Sequence, residues 1–276
     1  MPSLQRLVLV SLALVALVLS RFALADELAV PGSGNPEHVL GVLADAFNRQ
    51  QTQHHVSIPG STGTAGALRD VQAGSAALGR VGRPLKAEEL ALGLKYIPIG
   101  RDPVTFVAGA AVTVRNLTLE QVLAAYSGKV GNWKDLGGKP GPIRAIGREA
   151  TDASRSAINK AFKSFQEVKF GDGVKLVNLD PQMVELLDRY PTSLGFLNRS
   201  ALAVCKTKVV MLALDGVEST PANVGVGRYP LWLEMGLIYK PGNLTPAALA
   251  FIAFVQSSEG VRILREQGVL AAPRQS

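Results

Sequence analysis

The sequence predicts an α/β fold, and two observations carry that prediction. Short apolar strands alternate with amphipathic helices along most of residues 26–276. Three of the strand-to-helix junctions, Gly32 to Asn35, Gly60 to Thr64 and Thr151 to Ser154, are small, polar turns. In open α/β sheets ligands bind beyond the carboxyl ends of strands, where helix starts converge, so three such turns point to one cleft. The alternation also predicts largely parallel strand pairing.

The elements follow in order. Leu28 to Val30 reads as a strand, and Asn35 with Pro36 reads as the cap and first position of a helix. Val39, Leu40, Leu43, Ala46 and Phe47 lie on one face of that helix. His55 to Ile58 is a second strand; a helix with Leu68 and Val71 follows and stops at Gly74. Tyr96 to Ile99 and Val104 to Ala108 read as two further strands. Thr118 and Gln121 form a capping box for a helix to Tyr126, stopped by Gly128. Asp180-Pro181 opens another helix, with Val184 and Leu187 inward, and Val209 to Leu214 is a buried strand. Thr245-Pro246 opens a helix through Phe254, and Ser258 to Gln267 is the last, ended by Gly268.

The richest stretch is Ile143 to Ile158. A strand (Ile143, Ala145, Ile146) runs through Gly147-Arg148-Glu149 into Thr151-Asp152-Ala153-Ser154, which opens a helix with Ile158, Ala161, Phe162 and Phe165 on one face. Such a junction gathers unpaired backbone N–H groups and the positive end of the helix dipole, a setting that binds phosphate, sulfate or carboxylate. Arg148 and Arg155 flank it with forked donors. Asp152, in the middle of the turn, has the wrong charge for an anion site. It reads in three ways: as a helix N-cap that takes the N–H groups itself, as an acceptor for a proton on the ligand, or as a partner for a ligand's ammonium or hydroxyl.

Composition bounds the function. The first 25 of 276 residues read as a secretory signal, with Arg6, an apolar run from Leu7 to Leu19 and a small-x-small site at Ala23-Leu24-Ala25. The run is too short to span a bilayer, no later stretch is apolar enough, and no cysteine follows the cut to carry a lipid anchor. Removing Arg6 and Arg21 from the 29 basic residues, against 22 acidic ones, leaves a net charge of +5. That excess favours anionic partners at long range. It is unclustered and not interleaved with aromatics, so nucleic acid is not expected as a partner. Cys205 is alone and reads as a buried thiol. His38, His54 and His55 have no metal-ligand spacing, and no nucleophile elbow or phosphate loop occurs, so no enzyme, metal or cofactor is expected.

Further segments carry a resemblance. They are Gly60 to Gly66, Gly79-Arg80-Val81-Gly82-Arg83-Pro84-Leu85, Tyr96 to Asp102, Tyr126-Ser127-Gly128-Lys129, Asn132-Trp133-Lys134-Asp135-Leu136, Gly147-Arg148-Glu149, Tyr229-Pro230-Leu231 and Phe251 to Gly260. In this order they resemble the periplasmic phosphate-binding proteins of ABC importers, over nearly all of residues 26–273. The resemblance implies two α/β lobes, each a sheet flanked by helices, joined by a two-strand hinge and closing over ligand. It implies a first lobe at 26–102 plus 225–276, a second at 103–224, a periplasmic location, a small phosphate-like anion as ligand and an ABC permease as partner.

Mapped onto this chain, the resemblance and the polar turns nominate Ser33, Gly34, Asn35, Ser61, Thr62, Gly63, Thr64, Arg80, Arg148, Asp152, Ser154 and Arg155 as ligand-binding residues. The family's Ser-Gly-Thr is here Asp152-Ala153-Ser154, and Ala77 falls where the family has an aspartate that accepts a phosphate proton. Arg80 is expected either to compensate by binding an anion or to be solvated. Two functions stay open: capture of a small anion for import, or a scaffold that has lost phosphate binding and acts through protein contacts in the cell envelope.

Overall fold

The computed structural model describes residues 26–273; the leader expected over residues 1–25 lies outside the described residues. Strand β1 (Asp26–Ala29) precedes helix α1 (Glu37–Gln50), which buries the expected stripe of Val39, Leu40, Leu43, Ala46 and Phe47. Its N-cap is Pro36 rather than Asn35, whose side chain turns away from the helix toward Asn198. Strand β2 (His54–Ser57) leads to α2 (Gly63–Ala73), ended by Gly74 at φ 76°, whose N–H returns to the carbonyls of Asp70 and Val71. Then come β3 (Gly79–Val81), α3 (Ala87–Ala91) and β4 (Lys95–Ala108). The two strands expected at 96–99 and 104–108 are thus one.

The chain continues through β5 (Asn116–Leu117) and α4 (Leu119–Tyr126), where the Thr118–Gln121 capping box forms. Strand β6 (Arg144–Arg148) enters α5 (Ala153–Ala161), and extended backbone at Phe162 separates it from α6 (Lys163–Glu167). Next are β7 (Lys175–Val177), α7 (Asp180–Arg189), β8 (Ser193–Asn198) and a 3-10 turn at Arg199–Val204. Strand β9 (Val210–Leu214), α8 (Pro221–Gly225), β10 (Trp232–Tyr239), α9 (Pro246–Val255), α10 (Ser258–Glu266) and β11 (Leu270–Ala271) complete the chain.

Pairing is mixed rather than largely parallel. β1 with β2, β6 with β7 and with β8, and β5 with β9 are parallel; of these, β1–β2 and β6–β7 are consecutive strands joined through helices. β4 is antiparallel to every partner: its first part, Lys95 to Pro103, runs against β10, and its last part, Val104 to Ala108, runs against β8 and β9. The cause is geometric. β4 passes from one half of the molecule into the other, and the strands beside it run back along it. The result is a two-lobed α/β fold with strand order β3-β10-β4-β8-β6-β7 in its larger sheet.

One buried apolar cluster runs through both lobes along β4, from Leu28 to Val269. In the second lobe Phe106, Tyr126, Phe165 and Phe196 meet edge-to-face or tilted, at centroid distances of 5.6–6.4 Å. Tyr126 also donates its hydroxyl to the Ile146 carbonyl at 3.0 Å, which fixes α4 to β6 just before the polar turn. Cys205 is half-buried rather than buried, and desolvation pushes its thiol up to about 11. Among the described residues no single helix is long and apolar enough to cross a membrane.

Candidate functional site

The first lobe builds its part from two touching turns. Thr62 N–H donates to the Gly32 carbonyl at 3.0 Å, and Ser33 N–H to the Arg80 carbonyl at 2.9 Å. Gly32 sits at φ 140°, where an added Cβ would run into the Arg80 backbone, so only glycine fits. Gly34 faces Ser61, whose hydroxyl oxygen is 3.3 Å from where a Cβ on Gly34 would stand. Ser61 and Thr62 are exposed, Gly63 and Thr64 half-buried, and Thr62 begins α2 without a side-chain cap. The Gly63 N–H at that helix start donates to the Ser61 hydroxyl at 3.3 Å, so Ser61 lies over the end of the helix.

Arg80 takes no part as an anion-binding arm, nor is it solvated. Its side chain is fully buried, and it donates to the Val30 carbonyl, to Ser33 O at 2.8 Å, to Pro59 O at 2.6 Å and to Glu37 Oε2 at 2.9 Å. Burial pulls its pKa down and Glu37 opposes the shift. It braces the turns from behind. Ala77 packs against the core, whereas a Cβ on Gly82 would stand 3.0 Å from both Ser33 Oγ and Asn35 Oδ1. Residue 82, not 77, is the position that faces the first turn.

The lobes meet at β4. Asn35 donates to Asn198 Oδ1 at 3.3 Å, and Asn198 donates to the Asn35 carbonyl at 3.1 Å. Asn198 Nδ2 also lies 2.9 Å from Asp102 Oδ2, while the Ser200 hydroxyl and N–H both donate to the same carboxylate. Asp102 is fully buried among neutral donors. Desolvation pushes its pKa up to about 6 against those hydrogen bonds, with the charge of Asp180 adding to the rise.

The second lobe contains the anion-type turn, and its own carboxylate fills it. Asp152 is the N-cap of α5: Oδ1 accepts the Arg155 N–H at 3.0 Å, and Oδ2 accepts from Arg148 Nη2 at 2.7 Å. Arg148 is 2 % exposed, so this pair is buried, not on the surface. Its other terminal nitrogen lies 2.9 Å from Asp180 Oδ1 at the start of α7. Burial pushes Asp180 up to about 6; Arg148 opposes the rise, and the charges of Asp152 and Glu37 support it. Arg155 donates to the Arg148 carbonyl at 2.8 Å and stacks on Phe170 at 4.5 Å. Ser154 Oγ is fully buried and has no hydrogen-bond partner.

The nominated residues thus fall into three groups. Ser33, Gly34 and Asn35 join Ser61 to Thr64 in one corner of the first lobe. Arg148, Asp152, Ser154 and Arg155 share the turn before α5. Arg80 stands behind the first corner. Sequence reasoning missed Glu37, Asp102, Asp180, Asn198 and Ser200. The Asp180-Pro181 helix start was a signal for Asp180; only packing brings the others in.

A family model described as the PBP superfamily domain matches residues 23–259. The phosphate-binding protein PstS of Bacillus subtilis strain 168 is 25% identical over 253 residues, covering 89% of this chain and 81% of that protein. The phosphate-binding protein PstS of Borreliella burgdorferi is 25% identical over 197 residues, covering 68% of this chain and 70% of that protein. An X-ray structure with bound phosphate, of a Clostridium perfringens protein described as a phosphate ABC transporter substrate-binding protein, is similar with a TM-score of 0.77 and 26% identity; the match covers 90% of this chain and 100% of that one. With the family model spanning most of its length and the two lobes meeting at β4, the chain belongs to the PBP superfamily-domain family.

Proposed function

We propose that this protein captures a small oxyanion of the phosphate type between its two lobes and delivers it to a membrane importer outside the cytoplasm. In this reading residues 1–25 are a cleaved export signal, the lobes are 26–102 plus 225–276 and 103–224, and the ligand meets Ser61 to Thr64 from one side and Arg148, Ser154 and the α5 amides from the other. The observation that carries it is that the second-lobe turn already holds an anion. That anion is the carboxylate of Asp152, bound by a guanidinium and a helix-start N–H at 2.7 and 3.0 Å. The unpartnered Ser154 hydroxyl adds a donor for an incoming oxygen. The phosphate-binding relatives support the class of ligand.

The same observation favours a second reading. Arg148 is held by two carboxylates, so the turn is blocked by its own chain, and the protein acts as a scaffold for other envelope proteins. Calorimetry with phosphate and with sulfate, on the wild type and on Asp152→Ser, separates the two. Serine keeps the cap and removes the charge. Heat of binding in the wild type supports capture. Binding only in Asp152→Ser supports the blocked scaffold. No binding by either protein rejects the anion site.

A further inference from the structure

One guanidinium, that of Arg148, faces two carboxylates at the second-lobe turn: Asp152 at 2.7 Å and Asp180 at 2.9 Å. Arg155, the other cation of the turn, is directed to the Arg148 carbonyl and the Phe170 ring. A further anion brought against Arg148 would therefore meet a net negative charge, and like charges out of water repel strongly. The first lobe repeats the arrangement. Glu37, on the first turn of α1, is held from behind by Arg80 Nη2 at 2.9 Å, and the same nitrogen donates to the Pro59 carbonyl at 2.6 Å. Glu37 thus stands beside the segment that runs into Ser61 to Thr64, and its side chain is 36 % exposed. Asp180 feels its charge from the other lobe. Neither oxygen of Asp180 receives a hydrogen bond, and the fully buried Ser154 hydroxyl, on the same turn as Asp152, is also unpartnered. Each lobe sets a carboxylate, backed by an arginine, toward the other.

We propose that the ligand captured here is an oxyanion that carries an ammonium group on a short chain, with the ammonium set between Glu37 and Asp180 and the oxyanion against Ser61 to Thr64. This rests on the capture reading above and narrows its substrate class to zwitterions of the aminoalkyl phosphonate or phosphate ester type. The physical reason is charge balance. A positive group between two facing carboxylates neutralises both, whereas a simple anion adds to the surplus. The short span follows from Arg80, whose one nitrogen ties Glu37 to the strand end that leads into the polar turn. The Ser154 hydroxyl can serve either end of such a ligand, as donor to an oxygen or acceptor from an N–H.

The test is calorimetry at pH 7.5 with three probes: 2-aminoethylphosphonate, ethylphosphonate and inorganic phosphate. In the wild type the aminated probe is expected to bind about 10-fold or more tighter than ethylphosphonate. Glu37→Gln and Asp180→Asn, each checked for folding by far-UV circular dichroism, are each expected to bring that ratio toward one. Ethylphosphonate or phosphate binding as tightly as the aminated probe in the wild type overturns the proposal and leaves oxyanion capture standing. No heat with any of the three probes overturns both. A ratio undiminished in either folded variant overturns the proposal too, because the amine is then read elsewhere. If neither variant folds, the wild-type ratio decides.

Discussion

Arg80 is where local reasoning goes furthest astray. An arginine in a strand beside a ligand turn reads as a ligand arm, yet its four acceptors come from Val30, Ser33, Glu37 and Pro59, far back along the chain. No spacing rule reports such a set. Removing the side chain strands Glu37 and three carbonyls, so Arg80→Ala is expected to cost about 3 kcal/mol or more in urea unfolding. Asp152 is the opposite case. An N-cap is bonded three residues away, so the sequence already contained that reading, and the structure bears it out. Asp152→Ala removes both the cap and one of the two buried carboxylates on Arg148. On the same measurement it is expected to lose more than the about 1 kcal/mol of a cap alone, and Asp152→Ser, which keeps the cap, less than Asp152→Ala.

Among the elements, the longer helices were legible, and several strands of the larger sheet were not. The capping box at Thr118 and the glycine stops at Gly74, Gly128 and Gly268 are local signals, and each appears where expected. Thr118→Ala is expected to lower stability by about 1 kcal/mol, read as a lower thermal midpoint. β8 and β10 passed unread. β10 mixes Glu234 and Gly236 into its apolar run and carries a register shift between Met235 and Gly236, which breaks any period-2 pattern. The glycine has a packing reason, because a Cβ there would enter the Tyr96 ring. Gly236→Ala is expected to destabilise by about 1–3 kcal/mol, with Tyr96→Phe unable to rescue it because the ring itself is the obstacle.

For the whole molecule the buried carboxylates set the pH dependence of stability. Asp102 and Asp180 are raised from 3.8 to about 6, so their contributions are fully present below the ordinary value and are lost as pH rises through 6. Glu89 runs the other way: bonded by Arg83, it falls from 4.5 to about 2, so its contribution is complete above 4.5 and is lost progressively as pH falls from there toward 2. Stability is therefore expected to be greatest near pH 4–5 and to fall toward neutrality. Urea midpoints at pH 4.5 and pH 7.5 check the direction. Asp102→Asn is expected to flatten the difference, and a higher midpoint at pH 7.5 in the wild type contradicts the assignment.

By itself the sequence determined the α/β class, the helix stripes and their caps, the small polar turns, and an anion-type helix start with its own carboxylate inside it. These rest on period, on capping chemistry and on backbone conformation, all short-range. The tertiary structure decided the rest. It merged two predicted strands into β4, reversed the pairing along it, turned Arg80 inward and set Asp180 against the far side of Arg148. Those outcomes depend on which surfaces lose water together, and that is fixed only when residues far apart in the chain are packed side by side.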